Sequence, residues 1–185
     1  MKVRFTTTET KKAKFTLYPD FISESIKTVD FNYLHERGIK ACLIDLDGTV
    51  VNRGTFDVDL AIGAALMKSG LKIYIATNRP KSRSLKNLKE DLYATDVIHP
   101  KGMYGKPSKR YYLNALKAVG FKQHETVMIG DRYIQDILGA NRAGIYSLLV
   151  NKLGANHDKI DRFISNKEKD FTQSLLKKYH DIVPK

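Results

Sequence analysis

The 185-residue chain has one cysteine, Cys42, and no tryptophan. A single cysteine rules out a disulfide framework and any zinc site built on several thiolates. Cys42 sits in the apolar run ACLIDL, so it reads as a small core residue rather than a nucleophile. No run of about 18 apolar residues occurs, so no transmembrane helix is expected. The N-terminus, MKVRFTTTETKKAKF, lacks the apolar stretch of a signal peptide. Low-complexity tracts and internal repeats are absent, and histidines do not cluster. The expected location is the cytoplasm, with peripheral membrane association as an added option.

Charge is plentiful and unevenly placed. The net charge is +12, and residues 68–122 carry thirteen Lys or Arg against Glu90, Asp91 and Asp96, a net +10. Two readings stay open: a solvated face that keeps the protein soluble, or an electrostatic funnel for an anionic partner such as a phosphate ester, nucleic acid or acidic lipid.

Five short apolar runs read as buried strands: Lys40–Leu46, Leu71–Ala76, Asp96–His99, Thr126–Ile129 and Tyr146–Val150. Helical patterns lie between them, at Asp57–Lys68, Lys81–Leu92, Lys109–Val119 and Tyr133–Arg142. Ser108 is placed to cap the third of these helices, and Gly120 to stop it. Strands alternating with helices predict an α/β fold: three layers, Rossmann-like, around a mainly parallel sheet. The expected organisation is an N-terminal extension (1–39) packed on or beside the core, a catalytic core (40–150) and a C-terminal amphipathic basic helical segment (151–185).

In such open sheets, ligands bind beyond the carboxyl ends of the strands. Several chemically useful residues fall there. Asp45 and Asp47 end the first run, two apart in extended chain and so on one side. Gly48 then permits a sharp bend that swings the second carboxylate inward. Thr77 and Asn78 end the second run, and Gly130 and Asp131 end the fourth. Asp136 lies five residues further on. Lys106 stands just before the Ser108 cap, placed to aim into the same pocket. Taken singly, Asp131 reads as a turn residue capping the next helix, and Lys106 as one surface lysine among many. Several carboxylates converging on one place demand a cation, and oxygen-only donors favour Mg²⁺ over zinc.

The order and company of DLDGT (Asp45–Thr49), IATN ending at Asn78, GKPS around Lys106 and GDRYIQD (Gly130–Asp136) resemble the haloacid-dehalogenase-like phosphohydrolases over residues 40–150. With the GDxxxxDxxGANRAG stretch and the flanking segments, the chain is similar to the small capless bacterial subfamily IIIA phosphatases. That group is related to mitochondrial phosphatidylglycerophosphate phosphatases. The resemblance implies a motif strand order of about 3-2-1-4-5 and a phosphomonoester hydrolase acting through an aspartyl-phosphate. Asp45 would be the nucleophile, and Asp47 the general acid and then base. Asp45, the Asp47 carbonyl and Asp131 would hold Mg²⁺, with Gly130 and Asp136 in support. Thr77 would donate to a phosphoryl oxygen, and Lys106 would stand between nucleophile and phosphate. Thr49, Asn78 and Arg79 are the expected substrate-binding residues.

Three carboxylates and a phosphate monoester outweigh one Mg²⁺ and one lysine. Like charges about 4 Å apart repel by roughly 4 kcal/mol at an effective dielectric near 20. Arg79, Lys81, Arg83, Lys101, Lys109 and Arg110 are therefore expected to form a basic rim. Only Val50–Phe56 separates the first motif from its helix, and about six residues separate His99 from Lys106, too few for a cap domain. An open site suits bulky substrates, with phosphatidylglycerophosphate as the leading candidate in a phospholipid-metabolism role. Nucleic-acid end phosphatase and non-catalytic anion-binding scaffold are the alternatives. The expected partner is a phosphorylated substrate; the amphipathic ends (Phe15–Phe31 and Lys159–Tyr179) read either as packed on the core or as docking an acidic membrane surface, and the alternative to an open site is a second copy of the chain covering it. No obligate nucleic-acid partner is expected.

Overall fold

Six parallel strands form one sheet in the computed structural model, which describes residues 11–53, 55–81 and 85–154. The strands are β1 (Phe21–Ser23), β2 (Ala41–Ile44), β3 (Lys72–Ala76), β4 (Asp96–Ile98), β5 (Thr126–Gly130) and β6 (Tyr146–Val150). Their order across the sheet is β1-β6-β5-β2-β3-β4. The five motif strands thus take the expected 3-2-1-4-5 order, and β1 adds an edge. The helices are α1 (Phe31–Glu36), α2 (Leu60–Lys68), α3 (Lys86–Asp91), α4 (Lys109–Val119) and α5 (Gly139–Ala143).

Strand alternation divides the core into two layers. Cys42 and Ile44 face one side with Ile73, Ile75, Val127 and Ile129, under Leu34, Ile62, Leu66 and Leu88. Ala41 and Leu43 face the other side with Tyr74, Ala76 and Met128, under Tyr111, Tyr112, Ala115 and Ala140. Sheet residues covered on both faces explain why β2 is buried at all four positions. Cys42 is wholly enclosed, and burial pushes its thiol pKa up, which suits a core residue and not a nucleophile.

Three local features differ from the sequence reading. β1 lies in the N-terminal extension and pairs with β6 through Phe21↔Leu148 and Ser23↔Val150. Three residues are too few to show a period, so only the free edge of β6 defines this strand. The Asn141 side chain anchors the extension by donating to the carbonyls of Thr16 and Tyr18, both at 2.9 Å. Second, the helix expected from residue 81 is confined to Lys86–Asp91 among the described residues. Third, the segment after β5 begins as a wide π turn over Tyr133–Leu138 before α5. Such turns recur at functional sites.

Ser108 accepts from the Arg110 N–H at 3.2 Å, and Gly120 ends α4 with φ +77°, as expected. Among the described residues no helix is long and apolar enough to cross a membrane. The amphipathic pattern at Lys159–Tyr179 lies outside the described residues.

Candidate active site

The switch point of this sheet lies between β2 and β5, because the chain runs outward from β2 through β3 to β4 and then returns to β5 on the other side. Asp45 follows β2 directly, with its N–H donating to the Ile129 carbonyl at 2.9 Å. Thr77 follows β3, and Asp131 follows β5. Adjacent strands therefore carry these three side chains to one end of the sheet.

The arrangement is buried. Asp45, Thr49, Thr77, Lys106, Asp131 and Asp136 are all less than a tenth exposed. Carboxylate oxygens of Asp45, Asp131 and Asp136 lie within 4.8 Å of one another. Lys106 Nζ donates to Asp45 Oδ1 and, at 2.8 Å, to Asp136 Oδ1. Asp136 Oδ2 accepts from the Arg132 N–H at 3.1 Å. The π turn delivers Asp136 to this point, five residues beyond Asp131. Asp131 accepts a hydrogen bond from Thr49 Oγ1 at 3.3 Å.

Two glycines are required here. Gly48 has φ +90°, and a Cβ there would lie 2.8 Å from Asp131 Oδ2. A Cβ at Gly130 would lie 2.4 Å from Asp136 Cγ. Both positions need the missing side chain for the carboxylates to meet.

Electrostatics expose an imbalance. Burial, with Asp45 and Asp136 nearby, holds the Asp131 carboxyl well above the usual carboxylate range. Burial raises Asp136 to about 6, despite the opposing pull of Lys106. Burial alone would lower Lys106, but Asp136 and Asp45 outweigh it and hold the ammonium above its usual pKa. Three buried carboxylates share one buried ammonium, so a further cation is what the donor set fits. An oxygen-only set suits Mg²⁺.

These shifts carry a sign. Carboxyls with raised pKa bind protons more tightly in the folded chain. In the Mg²⁺-free protein their stabilising contribution is therefore present at low pH and lost as pH rises through about 6. Mg²⁺ requires the deprotonated forms, so it competes with those protons. The expected outcome is a Tm increase of about 5–10 °C at saturating Mg²⁺ near neutral pH. That increase shrinks below the Asp136 pKa of about 6. Thermal melts with and without Mg²⁺ across this pH range check it.

The expected substrate-binding residues are each engaged by another part of the site. Thr49 is on Asp131. Asn78 Nδ2 donates to the Lys106 carbonyl at 3.1 Å, and Asn78 Oδ1 accepts the Lys106 N–H at 2.8 Å. This two-way bridge fixes the backbone that carries Lys106. Arg79 donates from Nε to Asp47 Oδ2 at 2.9 Å and from Nη2 to Asp47 Oδ1 at 2.7 Å. A third bond reaches the Thr55 carbonyl at 2.9 Å, and the guanidinium lies 4.9 Å from the Phe56 ring centroid. The π turn that follows Asp131 has no side-chain cap. Of the expected basic rim, Arg110 stacks 4.5 Å from the centre of the Tyr104 ring, and Arg83 lies outside the described residues.

Two tyrosines of α4, candidates for base stacking if the chain acted on nucleic-acid ends, are instead buried. Tyr111 donates to the Ile98 carbonyl at 2.9 Å and to the Thr77 carbonyl at 3.3 Å. Tyr112 donates to the Gln135 carbonyl at 2.7 Å, tying α4 to the π turn. The YY pair just inside the Ser108 cap is the only trace of them in the sequence, and it does not distinguish a site brace from ordinary core.

A cleft of about 220 Å³ opens over this region, lined by Asp45, Asp47, Arg53, Asn78, Arg79, Arg132 and Gln135. Among the described residues no cap domain stands over it; the links from β2 to α2 and from β4 to α4 are short.

Known proteins resemble this chain in sequence. The family model described as HAD-hydrolase-like matches residues 103–176. "Probable phosphatase YqeG" of Bacillus subtilis (strain 168) is 29% identical over 170 residues, 90% of this chain and 95% of that protein. The chain thus resembles the haloacid-dehalogenase-like hydrolase superfamily in sequence. Within it, the bovine (Bos taurus) "Haloacid dehalogenase-like hydrolase domain-containing protein 2" is 44% identical over 73 residues, 37% of this chain and 27% of that protein. That match is a shared segment of a much longer relative. A crystal structure of an uncharacterized protein from Listeria monocytogenes serotype 4b shares the fold. It has a TM-score of 0.52 and 22% identity, covering 65% of this chain and 85% of that one.

Proposed function

We propose that the chain is a phosphatase: a Mg²⁺-dependent phosphomonoester hydrolase that works through a phosphoryl group on Asp45. The observation that carries this reading is the buried meeting of Asp45, Asp131 and Asp136 with Lys106 at the switch point of the sheet. The similarity to a full-length relative named as a phosphatase supports it.

The residues divide the work. Asp45 Oδ attacks phosphorus, and the bond from phosphorus to the alcohol oxygen breaks. Asp47 gives that oxygen its proton. A water then attacks the aspartyl-phosphate; Asp47 takes a proton from it, inorganic phosphate leaves and Asp45 is restored. Lys106 holds Asp45 in place and offsets the charge of the approaching phosphoryl oxygens. Thr77 Oγ1 accepts the Arg79 N–H at 3.0 Å, which leaves its own O–H to donate to a phosphoryl oxygen. Asp45, Asp131 and the Asp47 carbonyl would hold Mg²⁺, with Asp136 beside them. When bound, that ion neutralises phosphoryl charge and orients the group for in-line attack.

The substrate class we favour is a bulky anionic phosphomonoester, of which phosphatidylglycerophosphate is the first to test. The short connections over the cleft and the basic segment support that choice. Rapid quenching during turnover, followed by borohydride reduction, is expected to convert Asp45 to homoserine. Recovery of label at another residue, or none, would sink the covalent mechanism. A panel of lipid phosphomonoesters, nucleotides, 3′-phosphorylated DNA and sugar phosphates then ranks the substrates. Preference for small sugar phosphates would remove the bulky-substrate reading.

A further inference from the structure

Resting on the phosphatase reading above, we infer that Arg79 is the positioning residue for Asp47: it holds the proton-transfer carboxylate in place and does not itself touch substrate. A cationic arginine beside an anion-binding cleft would ordinarily be taken for a substrate clamp. Its hydrogen bonds point elsewhere. Nε and Nη2 are both directed at Asp47, and Nη2 also reaches the Thr55 carbonyl. Nη1 is buried and has no hydrogen-bond partner. No donor of this guanidinium is therefore turned to the open cleft, although Arg79 lines it. Arg79 is 7% exposed, and the Phe56 ring stands over it.

The geometry suits a positioning role. Asp47 acts twice in the proposed cycle, first toward the leaving oxygen and then toward water. Its carboxylate has to stay at one place through both steps. Asp47 sits in a tight turn, where the Gly48 N–H meets the Val51 carbonyl at 2.8 Å, and 27% of its side chain is exposed. A rigid planar fork contacting both oxygens fixes both side-chain torsions of an aspartate, which a point charge cannot do. The same residue reaches the phosphate side of the site through its backbone, since the Arg79 N–H bonds Thr77 Oγ1. The peptide of Arg79 is held in turn by His99, whose Nδ1 lies 3.0 Å from the Arg79 carbonyl. One residue thus ties the proton-transfer group to the phosphoryl-binding hydroxyl. A buried donor left without a partner is tolerated where geometry serves function.

Leaving-group chemistry tests this. An alkyl phosphate needs a proton on its departing oxygen, whereas p-nitrophenyl phosphate scarcely does. In Arg79→Gln, rapid-quench measurements are expected to show phosphoenzyme formation from an alkyl phosphomonoester slowed about 10–100-fold, a part of what general acid catalysis supplies. Formation from p-nitrophenyl phosphate should change by no more than about threefold, and KM for either substrate by a similar factor. Hydrolysis of the phosphoenzyme should slow equally whichever substrate made it. Arg79→Lys, which keeps the charge without the fork, should give the same pattern at smaller size. In an Asp47→Asn background, Arg79→Gln should have no further effect on the alkyl substrate. A raised KM with kcat retained would make Arg79 a substrate contact. Equal slowing of formation from both substrates, or a loss additive to that of Asp47→Asn, would make it merely structural. If the wild-type chain forms no phosphoenzyme, the covalent mechanism on which this inference rests falls. If it does and Arg79→Gln is additive, only this inference falls.

Discussion

Asp45→Asn is expected to abolish Mg²⁺-dependent phosphate release, with kcat reduced by about 10⁴-fold or more, the scale seen when a nucleophile is removed. The fold should survive. Asn is isosteric with Asp, its Oδ1 still accepts from Lys106, and Lys106 retains Asp136 at 2.8 Å. The backbone of residue 45 stays tied to Ile129. One buried charge also disappears from a cluster that holds too many, so the Tm should not fall. Phosphate release and a thermal melt on the same preparation separate lost chemistry from lost structure. Activity within about tenfold of wild type would remove Asp45 as the nucleophile.

Lys106→Met should damage both stability and turnover. The ammonium is almost fully enclosed and bonds two carboxylates that are themselves buried. Taking one partner out of such a group costs about 3–5 kcal/mol, because the charges left behind have neither water nor a counter-ion. At about 2–4 °C per kcal/mol, the Tm should drop by roughly 6–20 °C near neutral pH. The loss should be smaller below the Asp136 pKa of about 6, where protonation relieves the repulsion. Saturating Mg²⁺ should recover part of it. Turnover should fall by about 10²–10³-fold or more, the usual cost of removing a preorganised charge from a reacting centre. Melts at two pH values with and without Mg²⁺, together with kcat, are the measurements. A variant as stable and as active as wild type would mean that Lys106 neither balances the cluster nor meets the phosphoryl group.

Much of the fold is visible in the chain itself. Three of the five motif strands are apolar runs that end in Asp, Thr or Gly-Asp, because a strand covered on both faces must be apolar until it reaches the sheet edge. The parallel order followed from alternation with helices and from the motif resemblance. The edge strand β1 was invisible because its register comes from β6 and not from its own three residues. The π turn was invisible because its wider winding comes from the Asp136 carboxylate seating on Lys106 and the Arg132 N–H.

The candidate site divides in the same way. Residue types at strand ends are local information, so Asp45, Thr77 and Asp131 could be placed at one edge from sequence alone. Partnerships between side chains far apart in the chain are not local. Arg79 and Asn78 looked like surface donors facing an anion. In the folded chain one grips Asp47, 32 residues away, and the other brackets the backbone of Lys106, 28 residues away. Tyr111 and Tyr112 stood out in the sequence only as candidates for base stacking, and in the folded chain they brace Thr77 and the π turn through their hydroxyls.

The sequence by itself determined the chemical inventory, the strands that carry it and the order in which they lie. The inventory and the strands follow from hydrophobic period and from which residues end each run, and the order from the motif resemblance. Only the tertiary structure decided which cation faces which carboxylate and which donors remain for a substrate. A hydrogen bond depends on distances of a few ångströms between residues that only the packed sheet and helices bring together.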